Sequence, residues 1–447
     1  MPETDSQALL EDLIDRARKA GADAADALLV DGVSVSVAWR MGALERLERA
    51  EGGDIGLRVF VGNRQGIVSS AERSPAALRD LVDRAVAIAR TVPEDPYCGL
   101  AEPEQLARDL PVLDSRDPTE PSAETLTEMA RTAEDAARAV PGVTNSEGAE
   151  ASWSLTSVTL AASNGFAHRY ERTGSSLAAS VIAGSDSDGM ERDYDYSAAV
   201  FRADLRDPAE VGQSAGERAV RRLGARRPAT IKAPVVFDPR IARSLVGHLL
   251  GAINGVAIAR GTSFLKDRMG EPVFAPGITI MDDPHRHRGL KSRPCDAEGL
   301  PTRPMALVDD GRLTTWLLDL RSARQLGLDS TGHASRGAGS PPSPGASNVY
   351  LSPGAVTPDA LISDIKEGFY VTEAFGQGIN MITGDYSRGA AGFWIENGEI
   401  THPVSECTIA GTLQEMFRAL TPADDLVLRY GTDSPTVRID GMTIAGQ

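Results

Sequence analysis

The 447-residue chain has only 3 Cys and 6 His, no excess of basic charge, and no apolar run long enough to cross a membrane. Cys98, Cys295 and Cys407 are odd in number and far apart, with no C-x-x-C spacing, so neither a disulfide framework nor a zinc ribbon is encoded. A reducing cytoplasm is the expected home. The 46 Lys+Arg are outnumbered by 63 Asp+Glu, for a net charge of −17, which removes the electrostatic footprint of a nucleic-acid binder. The longest apolar stretch, Ser244 to Ala259, holds His248 and Asn254 and falls short of the roughly 20 residues a span requires. It reads as a buried helix. The acidic start, Met1-Pro-Glu-Thr-Asp-Ser, lacks the basic and then apolar pattern of a secretory signal. No G-x-x-x-x-G-K-[ST] phosphate loop, H-E-x-x-H or G-x-S-x-G elbow is present, although a Ser/His/Asp triad assembled only by the fold stays open.

What is present is a regular alternation of helices and strands. At about 150 residues per domain the length suggests two or three domains. A first helix carries Leu10, Leu13, Ile14 and Ala17 on one face and stops at Gly21. Val33, Val35 and Val37 alternate as in a half-buried strand, and Ile55–Val61 and Gln65–Ser70 flank the hairpin turn Gly62-Asn63. Ser74-Pro75 opens a second helix as N-cap and first helical residue. A Pro- and Asp-rich connector, Asp114 to Pro121, leads to a third helix carrying Leu126, Ala130, Ala133 and Ala137. Strands joined by the turn Asn164-Gly165 follow, and Asp207-Pro208 opens a fourth helix ending at Gly224.

The segment Arg227 to Pro234 marks the boundary to a second half. One helical stretch, Arg240 to about Ile258, precedes short strands with turns at Asp310-Gly311, Asn397-Gly398 and Asp440-Gly441. So many antiparallel strands need a sandwich or barrel to hide their edges. The expected fold is therefore α+β in two domains. Residues 1–229 form an N-terminal domain of two helix-plus-strand units, about 1–113 and 114–229, and residues 230–447 form a β-rich barrel- or sandwich-like domain with one long helix. The Gly- and Pro-rich run Arg336 to Gly345 reads as a mobile loop on composition.

Single motifs carry little chemistry. His285-x-His287 behind Asp282-Asp283 has the right ligand types for a metal, but Arg286 and Arg288 would repel a dication and spacing implies no third ligand, so a solvated loop is expected. Gly184 to Gly189 resembles part of a calcium loop, but Gly184 and Asp195 stand where Asp and Glu are required, so it reads as a polar hairpin tip. His168 and His333 occupy ordinary strand and turn positions. In Gly384-Asp-Tyr-Ser-Arg-Gly389 the Arg388 fork can clamp a carboxylate or phosphate, or it can close a turn by pairing with Asp385.

Several blocks taken together are more specific. Arg260-Gly-Thr-Ser-Phe264, Ala275 to Pro284, Asp296 to Thr302, Ser330 to Arg336, Gly384 to Gly389, Gly392 to Gly398 and Pro403 to Gly411 occur in one order over the second half. With Gly53 to Val59 and Asn164 through Thr173 in the first half, the chain resembles the TldD/PmbA family, in its PmbA (TldE) branch. That resemblance implies a zinc metallopeptidase system acting on unfolded peptides, in which a TldD-type subunit carries His-Glu-x-x-x-His and a later Cys. Zinc there polarises the carbonyl and lowers the pKa of its water while the Glu takes the proton.

In this sequence the corresponding positions, counted back from Arg260, hold Val246, Gly247 and Gly251, and no shift that uses His248 restores two His and a Glu. The resemblance thus implies no catalytic or metal-binding residue in this chain. Zinc is expected only in a TldD-type partner. The chain would be a partner subunit that closes a peptide chamber and holds an extended substrate by adding it to a sheet edge, with a homodimer left open as a form of the isolated chain. Arg260, Thr262, Ser263, Asp385, Ser387 and Arg388 are the candidate chamber or partner-contact residues. Two alternatives stand beside this. One is a self-standing hydrolase using Asp385, Ser387 or Arg388. The other is a protein-binding modulator, after the family's DNA gyrase label, without direct contact to nucleic acid or membrane.

Overall fold

The computed structural model describes residues 3–185 and 189–446, with side chains described from Asp5 onward. The tip of the calcium-loop-like hairpin, residues 186–188, lies outside the described residues. In chain order the first half comprises α1 (Glu3–Lys19), β1 (Ala24–Arg40), β2 (Ala43–Val61), β3 (Arg64–Ser70), α2 (Pro75–Thr91), α3 (Ala123–Arg138), β4 (Val143–Ala162), β5 (Ala167–Ser185), β6 (Gly189–Ala199) and α4 (Pro208–Arg221). The six strands form one antiparallel sheet in the order β3-β2-β1-β4-β5-β6.

Caps set the helix starts where the sequence marks them. Ser74 accepts the Ala77 N–H and Asp207 the Ala209 N–H, each with Pro at the first helical position. All four helices cover one face of the sheet. Alternation along a strand sends side chains to opposite faces, and here the odd-numbered residues go to the helices. Ala25, Ala27, Leu29, Ile55, Leu57 and Val59 pack under α1 and α2. Val35, Val37, Ala149, Ala151, Leu177 and Ala179 pack under α3 and α4. The even-numbered residues Asp26, Leu28 and Val30 of β1 look the other way, toward the second half.

Helices α3 and α4 approach closely at Gly212, where a Cβ would stand 1.9 Å from the Ala133 carbonyl oxygen. Gly212→Ala should gain under about 1 kcal/mol of helix propensity and lose more to the clash, with a net destabilisation of about 1–3 kcal/mol. A denaturation midpoint equal to the parent's would show that the two helices can part without penalty.

The second half contains β7 (Ile231–Phe237), α5 (Pro239–Ala252), α6 (Gly255–Ala259), β8 (Ile280–Asp282), β9 (Met305–Asp309), β10 (Arg312–Leu313), α7 (Leu320–Leu326), β11 (Ala334–Ser335), β12 (Ser343–Pro344) and β13 (Val349–Leu351). It continues with α8 (Pro358–Ile362), β14 (Glu367–Phe375), β15 (Asp385–Glu396), β16 (Glu399–Thr412), α9 (Leu413–Arg418), β17 (Leu420–Pro422), β18 (Thr432–Asp433) and β19 (Val437–Ala445). Strands β16-β15-β14-β7-β19 run in sequence around a sheet, and the additional β16–β19 pairing closes it into a barrel. Closure removes the open edges that the strand count required to be hidden. A smaller sheet, β10-β9-β8-β13-β18, packs with α5 on the same core, which holds Phe237, Leu249, Leu307, Val349, Phe369 and Ile439.

Three local features differ from the sequence reading. The stretch expected as one helix is two. The chain breaks at Ile253–Asn254, where the Asn254 side chain caps α6 through the Val256 N–H and donates to the Pro344 carbonyl at 3.0 Å. Asp440-Gly441 is a bulge inside β19 rather than a turn between strands, because the register to β7 slips between Ile439 and Met442. The Gly-rich loop is docked. The Ala338 carbonyl lies against Gly56 of β2, where a Cβ would meet it at 1.9 Å.

Candidate functional site

The blocks around Arg260 and Gly384 meet at the C-terminal half of α5. The Phe264 N–H donates to the Met381 carbonyl at 3.0 Å, and Leu413 N–H to the Gly384 carbonyl at 2.7 Å. Ser263 is buried and fully used: its hydroxyl donates to the Ala252 carbonyl at 2.6 Å and accepts the Leu265 N–H at 3.0 Å. That ties the segment to the end of α5. Thr262 is exposed and donates to the Ala257 carbonyl, and Arg260 is exposed at the end of α6.

The other three candidates lie on β15, not in a turn, and strand alternation divides them. Asp385 and Ser387 are exposed on one face, with Asp385 accepting from Thr383 Oγ1 at 2.6 Å. Tyr386 and Arg388 take the inner face. No Asp385–Arg388 pair forms. The Arg388 guanidinium instead donates to the Ala374 carbonyl at 2.6 Å, and its Nε is buried without a partner.

Beside them stands a residue the sequence reading had weighed only as a zinc ligand. His248 of α5 presents its ring edge-on to Tyr386, with ring centres 6.0 Å apart at 65°. The His248 Nε2 is buried without a hydrogen-bond partner, and the buried Tyr386 hydroxyl has the Arg388 guanidinium beside it. Burial, assisted by the Arg388 charge, lowers the His248 pKa to about 4. Burial pushes the Tyr386 hydroxyl up to about 12. The group is therefore a neutral imidazole, a neutral phenol and one fixed cation. The place of Tyr386 between polar Asp385 and Ser387 was the signal available for it. Nothing in the sequence placed it against His248.

This group can recognise acceptors and exclude charge, but it does not suit a metal. Val246 is 2% exposed and packs in the core, Gly247 faces open space, and Gly251 meets only Met381 Cε at 3.2 Å. His248 is thus the one imidazole on α5, and a guanidinium stands next to it, which opposes a dication. Among the described residues no three His, Cys, Asp or Glu side chains come together as ligands. The His285 region does not gather them either. Asp282 is buried and spends its oxygens on His333 Nε2 and on the Ser347 N–H and hydroxyl, while His285 meets Thr302 Oγ1 at 3.0 Å.

His248 makes a prediction. In the unfolded chain it titrates near 6.5 and in the folded chain near 4, so the unfolded state binds the extra proton between those values. Its contribution to stability is complete above pH 6.5 and is lost as pH falls toward 4. An NMR titration of the His248 ring should show a midpoint near 4, and one at 6.5 or above would refute the buried neutral state.

A sheet with four helices on one face, set against a closed five-strand barrel that carries this group on α5 and β15, defines a two-part architecture with known relatives. Over its full length the chain superposes on a Bacteroides thetaiotaomicron protein that carries a provisional DNA gyrase modulator label, with a TM-score of 0.92, 27% identity and 100% of each chain covered. TldE from Thermococcus kodakarensis shares the fold, with a TM-score of 0.87 at 21% identity, covering 98% of this chain and 100% of its own. The Escherichia coli O157:H7 metalloprotease PmbA is 40% identical over 427 residues, 95% of this chain and 93% of that protein. Profiles of the PmbA/TldA metallopeptidase family match at residues 25–89 (domain 1), 116–223 (central domain) and 230–446 (C-terminal domain). The chain belongs to the PmbA/TldD metallopeptidase family.

Among the described residues no helix is long and apolar enough to cross a membrane.

Proposed function

We propose that this chain is the zinc-free subunit of a two-chain peptidase, pairing with a TldD-type subunit that holds the metal. In this reading it closes the chamber over an unfolded peptide. The observation that carries the proposal is the character of α5: where the zinc-bearing subunit of such a system needs two His and a Glu, this helix has a core valine and two glycines, and its one imidazole sits beside Arg388. The remaining group of His248, Tyr386 and Arg388 offers N–H and O–H donors at the level of β15, a chemistry suited to peptide carbonyls rather than to hydrolysis. Asp385 and Ser387, exposed on the opposite face of the same strand, are the residues proposed to touch the partner.

The test is co-purification of this chain with the TldD-type protein of the same genome, followed by metal analysis and peptidase assay of each chain and of the pair. The expected result is stoichiometric zinc on the other chain alone, and peptide cleavage by the pair. Cleavage of unfolded peptide by this chain by itself, or zinc bound to it, would overturn the proposal.

A further inference from the structure

The two halves meet over the even-numbered face of the sheet, and between them lies a cavity of about 450 Å³. That is within the range of small-molecule sites. Leu28, Val158, Leu160 and Tyr170 from the sheet, with Cys295 opposite, give it an apolar floor. Arg172, Lys291, Arg293 and Arg336 stand in its wall, against Asp296 as the single acid. Asp296 is already engaged, accepting the backbone N–H groups of Glu298, Leu300 and Ala334.

Arg336 is the unusual member. Its side chain is 3% exposed, and its Nη1 donates to Asp26 Oδ1 at 2.6 Å. The other oxygen of Asp26 serves Arg58, whose Nε donates to Oδ2 at 3.0 Å. One carboxylate thus supports two guanidinium groups. The Nε and Nη2 of Arg336, which form the side edge of the fork, are buried and have no partner. A guanidinium stays charged, and its fork matches the two oxygens of a carboxylate or phosphate. Leaving such an edge buried and unpaired is unfavourable. Glu298, the other acid of the cluster, lies 4.0 Å from Arg58 and gives its second oxygen to the Leu320 N–H.

We propose that this cavity binds a small molecule with one oxyanion head and an apolar body. The head takes the Nε and Nη2 edge of Arg336, with Lys291 and Arg172 adding positive field, and the body lies over Leu28, Val158 and Leu160. The site shares no lining residue with His248, Tyr386 or Arg388, and it does not depend on the peptidase-partner reading.

Calorimetric titration of the full chain tests it with three probes: N-acetyl-L-leucine, its neutral amide, and hexyl phosphate. The acid should bind and the amide should not. Binding of hexyl phosphate in place of the acid would support the same site with phosphate as the head. Arg336→Lys, which keeps the charge but loses the fork, should weaken binding at least tenfold. Because Arg336 also braces Asp26, a second variant is needed. Val158→Phe fills the cavity floor, leaves the Arg336–Asp26 pair in place, and should abolish binding while the chain stays folded. If neither anion binds the parent, or if binding survives both substitutions, the site is refuted.

Discussion

Replacing Asp26 with alanine should destabilise the chain by about 3–5 kcal/mol, the usual consequence of removing one partner from a buried ion pair. Asp26 is 2% exposed and lies between Arg58 and Arg336, whose side chains are 5% and 3% exposed. It is the only carboxylate in direct contact with Arg336 among the described residues. Its loss strands two buried guanidinium groups without their shared counter-charge. The two arginines beside it hold its carboxyl below the usual range despite burial, which opposes them. Arg58 comes from β2 and Arg336 from the loop after β11, so the cluster is also the joint between sheet and barrel domain. Chemical denaturation of Asp26→Ala should show the loss. A triple variant, Asp26→Leu with Arg58→Met and Arg336→Met, removes the charges together and should recover most of it. A single variant within 1 kcal/mol of the parent would mean that the joint is hydrated.

That joint was invisible in the sequence, and the reason is distance: Asp26 and Arg336 are 310 residues apart. The Gly- and Pro-rich run after Arg336 carries no periodic pattern, so composition suggested mobility. The missing Cβ of Gly56 instead lets the Ala338 backbone lie flat on β2. The first half of β1 was also missed. Residues 25–29 are buried on both faces, by helices on one side and the barrel domain on the other, so the polar alternation that marks a half-buried strand is absent there. It appears only farther along, at Val33 to Val37, where one face opens.

Local chemistry was legible wherever the structure is decided locally. Ser74-Pro75 and Asp207-Pro208 begin helices because a side-chain acceptor and a proline satisfy the first turn. Gly62-Asn63 and Asn164-Gly165 turn hairpins as expected, and Asp310-Gly311 and Asn397-Gly398 do so with positive φ at both residues. The candidate site was half legible. The order of blocks pointed to β15 and to the segment after α6, but not to which face of β15 each side chain takes, nor to the break at Asn254 that brings α6 back against Pro344.

Stability between pH 6.5 and 8 should be governed by Glu298. Its carboxyl is buried against the joint, and burial, reinforced by Asp296 and opposed by Arg58, pushes its pKa up to about 8. The unfolded chain releases this proton near 4.5, so between 4.5 and 8 the folded state holds a proton that the unfolded state lacks. Its contribution is complete below 4.5 and declines as pH rises through 8. Below pH 6.5 His248 titrates with the opposite sign, so the two effects partly cancel there. From pH 6.5 to 8 His248 is silent, and the folded chain should lose up to about 2 kcal/mol, at 1.36 kcal/mol per pH unit for one proton. Glu298→Gln should flatten that slope, since the amide cannot ionise and keeps an oxygen for the Leu320 N–H. In His248→Gln the decline should extend down toward pH 4.5, because the opposing titration is gone. Denaturation midpoints across pH 5 to 8.5 for the parent and both variants separate the two groups, and a parent slope unchanged by Glu298→Gln would place the proton elsewhere.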